Sequence, residues 1–221
     1  MDDRPGRDSV RETYDHIAPH FSQTREYPWP EVETFLEATP ASHVALDVGC
    51  GNGRHTELLT DHADRVIGID VSSGLLAEAR ERVAASGVSD RVVLLQSDAA
   101  SLPIAPDVVG VTVYVATLHH LPSRALRIAS LDELARVLSP GGRALVSAWS
   151  TAHDRFDADE GFDTTVDWTL PGGETVPRYY HIYDPEEFRA DLAESDLTVR
   201  DVSISSGNCY AEVAGPEGKH P

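Results

Sequence analysis

The chain is predicted to be an α/β protein built on a doubly wound, mostly parallel sheet of seven strands with an antiparallel last strand. Three observations lead there. Between residues 43 and 149, short apolar runs alternate with amphipathic helical segments. A glycine-rich turn, 47–53 (DVGCGNG), links the first of those runs to a helix. Two closing runs, 197–205 and 208–214, read as an antiparallel strand pair.

The elements follow in order. Residues 9–21 have helical character, with Ser9 as N-cap, Glu12 three residues later, and Pro19 closing or kinking the helix. Residues 22–30 form a loop, and Pro30 opens a second helix to about Ala38. Strands are expected at 43–48, 65–70, 91–96, 108–115 and 143–149. Helices lie between them at 54–62, 73–85 and 124–138, the last ending before Pro140-Gly141-Gly142. Residues 150–183 are polar, turn-rich and too long for a simple connection, which marks a functional insert on the substrate side. A helix at 185–193 precedes the closing strands. Residues 1–214 thus read as one domain, with 1–40 as a helical cap and 215–221 as a flexible tail.

Composition narrows the classes. The chain has 221 residues, 41% of them hydrophobic, enough for a substantial core. No apolar run approaches the ~20 residues that span a bilayer, and no charged-then-apolar leader opens the sequence, so no membrane partner and a cytoplasmic location are expected. Cys50 and Cys209 are too few for a disulfide framework and belong to no metal-binding spacing, so no metal is expected. The net charge is −19, from 37 acidic and 18 basic residues, and Lys219 is the only lysine. Acids spread along the whole chain indicate salt adaptation, a halophilic surface that stays hydrated under strong screening. On that reading the bulk charge says little about partners.

The strongest local signal is the glycine loop. Its glycines let the backbone turn tightly and approach a ligand where a Cβ would collide. The dinucleotide spacing GxGxxG fails, because Arg54 stands where the third glycine would be and Gly53 comes one residue early. Asp70 ends the second strand, where a carboxylate can accept both ribose hydroxyls. Asp98 follows the third, where one can take an adenine amino group. Each acid alone reads equally well as a cap; with Asp47, Gly49, Gly51 and Gly53 the set sits at the carboxyl ends of adjacent strands, the ligand crevice of a doubly wound sheet. These motifs resemble the class I S-adenosylmethionine-dependent methyltransferases, which implies a Rossmann-like fold, S-adenosylmethionine as donor and S-adenosylhomocysteine as product.

The flanks carry a narrower resemblance. His20-Phe21-Ser22-Gln23-Thr24-Arg25, Pro28-Trp29-Pro30, Leu118-His119-His120, Trp149, the run 178–183 (RYYHIY) and Gly207-Asn208 with Tyr210 are similar to the tRNA wobble-uridine carboxymethyl methyltransferases. That family esterifies the carboxylate of 5-carboxymethyluridine. The resemblance implies a donor site including Tyr14, His20, Arg25, Cys50, Val71, Ala99, Ala116 and His119. It also implies a tRNA anticodon loop as substrate, and a small zinc-binding activator protein as heterodimer partner. That partner is expected along residues 91–96 (Arg91 to Gln96), a sheet edge open to strand addition.

The chemistry suits these residues. A carboxylic acid is ionised at neutral pH, with a reference pKa of about 4, so attack on a methyl group requires no general base. Arginine clamps a planar anion through paired N–H donors, which makes Arg25 and Arg178 the candidate carboxylate binders. Tyr179, Tyr180 and Trp149 are candidate walls for the base, and His119, Asn208 and His181 candidate partners for its polar edge. Trp29 is expected to pack the N-terminal helices. Two alternatives stay open: a small-molecule O- or C-methyltransferase, and a cofactor-binding scaffold without catalysis.

Overall fold

A computed structural model gives the structure, which describes residues 6–216. Helices α1 (Arg7–Thr24) and α2 (Pro30–Glu37) precede strand β1 (Ser42–Val48), α3 (Arg54–Leu59), β2 (Ala63–Asp70), α4 (Ser73–Ala85), β3 (Val92–Gln96) and β4 (Val109–Tyr114). A 3-10 turn at Leu118–His120 leads to α5 (Arg124–Val137) and β5 (Leu138–Trp149). A hairpin, β6 (Phe162–Thr169) and β7 (Thr175–Ile182), comes before α6 (Pro185–Glu194), β8 (Thr198–Ser205) and β9 (Asn208–Ala214).

Seven strands make one sheet in the order β3-β2-β1-β4-β5-β9-β8. Strands β1 to β5 pair in parallel, and β9 runs against both of its neighbours. Side chains alternate across the strands, so each strand supplies two layers. Leu46, Val48, Ile69 and Val146 pack with α5 and α6 through Leu131, Leu134, Phe188 and Leu192. Ala45, Val66, Val113 and Leu145 pack on the other side with Val32, Phe35 and Leu36 of α2 and Leu59 of α3. With both faces covered, β4 buries all but Gly110 and β1 everything from Ala45 onward, which is why they read as continuous apolar runs.

Four expectations are corrected. Helix α1 starts at Gly6 as N-cap rather than Ser9, and it continues through Pro19 to Thr24. Proline removes a hydrogen bond there, but Ile17 and Ala18 are fully buried with Leu75 of α4, and that packing carries the helix past the break. Helix α3 stops at Leu59, three residues early. The run Pro140-Gly141-Gly142 joins β5, with the β4–β5 register shifting beside it and Gly141 taking φ +80°. The insert 150–183 contains the β6–β7 hairpin, paired from Phe162↔Ile182 to Thr169↔Thr175 and turned at Gly172 and Gly173. Its two ends meet at the base, where the Tyr183 N–H donates to Trp149 O and the Thr151 N–H to Tyr183 O, both at 2.9 Å.

Strand β3 is a sheet edge, as expected, and Val93 on it is half exposed. Among the described residues no helix is long and apolar enough to cross a membrane. The tail expected beyond Ala214 lies, from residue 217 onward, outside the described residues.

Candidate functional site

The carboxyl ends of β1, β2 and β4 open into a cavity of about 340 Å³. The glycine loop folds back over β2, with the Gly49 and Cys50 N–H groups both donating to Ile69 O (2.7 and 2.9 Å). Gly49 has φ +70° and sits so close to Thr117 that an added Cβ would overlap that side chain; Gly51, at φ +55°, faces the open cavity. Asp70 ties two loops together. Its Oδ2 accepts from the Gly51 N–H and its Oδ1 from the Ser72 N–H, each at 2.8 Å. Burial raises its pKa to about 6 against the downward pull of those N–H groups. Val71, Asp98 and Ala99 line the same wall, and Asp98 Oδ1 also accepts from the Ala100 N–H. Ala116 lines it from the end of β4 in a left-handed conformation, φ +54°, with its N–H donating to Ser147. A non-glycine residue held there marks backbone strain at the crevice.

The opposite wall is cationic and aromatic. Arg178 is 8% exposed, lines the cavity, and forms no ion pair among the described residues. Its guanidinium carbon lies 4.7 Å from the centroid of Trp168 and 5.2 Å from that of Tyr180. Arg25 lies 5.2 Å from the same Trp168 ring, so two guanidinium groups share one indole. The Trp168 Nε1–H donates to His20 Nδ1 (3.0 Å), which fixes that ring on α1. Trp149 and Tyr180 pack 5.2 Å apart, and Asn208, paired in register with Trp149, completes this side.

The two neighbouring histidines are neutral and set in opposite tautomers. The Trp149 N–H donates to His119 Nδ1 (2.9 Å), which leaves the proton on Nε2. His120 donates from Nδ1 to Tyr179 O (2.9 Å), so its Nε2 accepts from the Tyr14 hydroxyl (2.8 Å). Burial holds the His120 pKa down to about 3 and that of His119 well below the usual range. A neutral His119 offers one N–H to the cavity without adding a charge beside Arg178.

Tyr14, Arg25, Cys50, His119, Trp149, Arg178, Tyr180 and Asn208 therefore converge as expected, together with Gly49, Gly51, Asp70, Val71, Asp98, Ala99 and Ala116. Five expected residues do not reach the cavity. Asp47 lies beneath the loop, where it accepts from the Thr56 hydroxyl (2.7 Å) and burial lifts its pKa to about 7. Gly53 caps α3 at φ +80°, against Ala79 of α4. His20 holds Trp168. Tyr179 and His181 point to the other face of β7, where Asp163 Oδ1 accepts from both at 2.8 Å and Glu187 contacts the second nitrogen of His181. They brace the wall rather than touch its contents.

The structure also supplies residues with no role in the sequence reading. Asn52 donates to Arg25 O (2.9 Å) and so fastens the arginine loop to the glycine loop. Asp15 accepts from the Gly74 N–H and the Ser72 hydroxyl, capping α4 from α1. Trp29, expected only to pack the N-terminal helices, does so and lines the cavity as well. Trp168 carried one signal, its place as an inward residue in the alternating run 162–169.

Residues 45–142 match the family described as Methyltransferase domain. The chain is 35% identical over 173 residues to the tRNA (carboxymethyluridine(34)-5-O)-methyltransferase of Saccharomyces cerevisiae, covering 76% of this chain and 59% of that one. It is 32% identical over 191 residues to the protein of the same name from Schizosaccharomyces pombe, covering 84% and 77%. The chain spans a fifth to a third of the length of the animal and plant relatives it matches. Among solved structures, the DhpI–SAH complex superposes with a TM-score of 0.70 at 22% identity, over 95% of this chain and 97% of that one. A complex of the Haloferax volcanii Trm112 methyltransferase activator with a methyltransferase gives 0.69 at 17%, over 96% and 100%. Those two likenesses show the Rossmann-like methyltransferase fold. The similarity along most of the S. pombe protein goes further, and the chain belongs to the tRNA (carboxymethyluridine(34)-5-O)-methyltransferase family.

Proposed function

We propose that this chain is an S-adenosylmethionine-dependent methyltransferase that esterifies the carboxylate of 5-carboxymethyluridine at the wobble position of tRNA. The observation that carries the reading is Arg178, a buried guanidinium on the cavity wall without a carboxylate partner among the described residues. Burying an unpaired cation is costly, and in a chain with 37 acidic residues a partner was easily available. A planar carboxylate entering with the substrate supplies that partner through two N–H donors.

The donor fits the opposite wall. Gly49 and Gly51 bring backbone to the cavity surface, Asp70 would hold the ribose hydroxyls, and Asp98 with Ala99 the adenine edge. S-adenosylmethionine, when bound, supplies an electrophilic methyl group on a sulfonium. The protein's own residues then have simple tasks. Arg178 orients the acceptor carboxylate, Trp149 and Tyr180 flank the base, and the His119 Nε2–H and the Asn208 amide meet its polar edge. No residue has to remove a proton, so the task is to hold the two reactants in line. Nucleoside mass spectrometry tests the substrate. The chain with its activator should methylate tRNA carrying carboxymethyluridine, and transfer only to small acids would overturn the assignment.

Asp70 makes donor binding pH-dependent. Hydroxyl donors favour its ionised form and draw down a pKa that burial has raised to about 6. Donor affinity should therefore rise as pH climbs through 6 and level off above it, with proton release on binding near and below that pH. Calorimetry of S-adenosylhomocysteine from about pH 5 to 8, in buffers of different ionisation enthalpy, reads both effects. A flat affinity with no released proton would contradict it.

The reading includes a zinc-binding activator docked along β3. The edge is unpaired among the described residues, Val93 is 51% exposed on it, and the Arg91 guanidinium is turned to Thr60 O instead of guarding it. Val93→Glu should abolish co-purification of the activator, whereas Ile204→Glu on the far edge, β8, should leave it intact. Equal retention by both variants would rule out this docking.

A further inference from the structure

We propose that Arg54 binds a phosphodiester of the RNA strand presenting the acceptor base, and so separates an RNA-borne acceptor from a free small acid. The inference rests on the methyl-acceptor reading above and adds a second contact to it. Arg25, Arg54 and Arg178 line the cavity, and none of the three forms an ion pair among the described residues. Elsewhere, Arg11, Arg82, Arg124, Arg127, Arg136, Arg143 and Arg189 each hold a carboxylate, Arg91 bonds the Thr60 carbonyl, and Arg65, Arg80, Arg155 and Arg200 are exposed to solvent. In so acidic a chain, three unpaired guanidinium groups around one cavity indicate anions that arrive with the ligands.

Two of those anions are accounted for. On the reading above Arg178 takes the acceptor carboxylate, and Arg25, on the same Trp168 ring, is placed to take the methionine carboxylate of the donor. Arg54 stands apart from them on another indole. Its guanidinium carbon lies 5.5 Å from the Trp29 ring centroid, and Trp29 packs edge-on against Tyr210 at 6.4 Å. Its one hydrogen bond among the described residues is a long one, 3.5 Å to the carbonyl of the exposed Tyr27. Ser206 and Asn208 of the β8–β9 turn line the same cavity. Burial, followed by the charge of Arg25, lowers the Arg54 pKa to about 10, which leaves it charged at neutral pH and in want of an anion. A nucleotide held by its base in such a cavity brings a phosphate to the rim. A guanidinium resting on an aromatic ring presents a fork of donors suited to it.

The test uses the full chain, Arg54→Gln and Arg54→Lys, with an anticodon stem-loop RNA carrying 5-carboxymethyluridine as probe. RNA affinity is measured over a series of salt concentrations, and S-adenosylhomocysteine affinity by calorimetry. Arg54→Gln should weaken RNA binding roughly five- to tenfold at low salt. It should also make the slope of log K against log salt shallower by about 0.7, the value of one single-strand phosphate contact. Arg54→Lys should keep the slope, and both variants should bind S-adenosylhomocysteine within about twofold of the parent. An unchanged slope in Arg54→Gln, or a fall in S-adenosylhomocysteine affinity alongside RNA affinity, overturns the assignment. If the parent methylates the RNA while the slope is unmoved, this inference fails alone. If the parent neither binds nor methylates it, the substrate reading fails as well.

Discussion

Arg178→Met cuts methyl transfer to carboxymethyluridine by some thirtyfold or more, yet melts no lower than the parent. The two halves of this expectation have one cause. Among the described residues Arg178 is a buried cation between Trp168 and Tyr180 with no anion beside it, so an apolar side chain of similar length removes a desolvation cost. In the proposed substrate complex the same cation is the partner of the carboxylate. Losing one member of a buried charge pair costs about 2–5 kcal/mol, or at least some thirtyfold in transfer and up to several thousandfold. Single-turnover transfer and thermal unfolding read the two quantities separately. A variant that unfolds early would make Arg178 a structural residue, and one that keeps its rate would remove it from the acceptor site.

Gly49→Ala should cost both the fold and the donor. Gly49 occupies left-handed backbone, and a Cβ there would overlap the Thr117 hydroxyl and methyl and lie 2.7 Å from the Thr117 Cβ. Rotating the threonine does not relieve the last contact. The backbone conformation and the overpacking together amount to roughly 2–5 kcal/mol, a melting point lower by roughly 5–15 °C in a chain of this size. Thr117→Gly in the same chain removes the overlap but not the backbone cost, so the double variant should recover part of the loss. S-adenosylhomocysteine binding should fall with the single variant and return partly in the double. Parent-like melting and affinity in Gly49→Ala would show that the loop is not held as described.

The donor half of the site was legible in the sequence because local rules govern it. A glycine loop after a strand, and carboxylates at the ends of the next two, fall into one crevice through the parallel sheet alone. The acceptor half was legible only in part. The run 178–183 resembles a functional block, but it is a strand, and a strand divides its residues between two faces. Arg178 and Tyr180 reach the cavity, while Tyr179 and His181 turn to Asp163. Trp168 was missed because its importance lies in contacts to Arg25 and Arg178, 143 and 10 residues away, which no local pattern encodes. Helix α1 outran Pro19 for a similar reason, since packing on α4 outweighed a local breaker.

The closure at the base of the hairpin separates inheritance from choice. Trp149, Thr151 and Tyr183 join backbone to backbone below β6 and β7, so the seven-stranded sheet is complete without the segment that carries Trp168, Arg178 and Tyr180. The glycine loop is built into the sheet, whereas Trp168, Arg178 and Tyr180 sit on an arm that leaves the sheet and returns to it at one place. The strand order of the sheet therefore sets no limit on the length of that arm, and its tip is coupled to the glycine loop only through side chains, Trp168 to Arg25 and Asn52 to the Arg25 carbonyl.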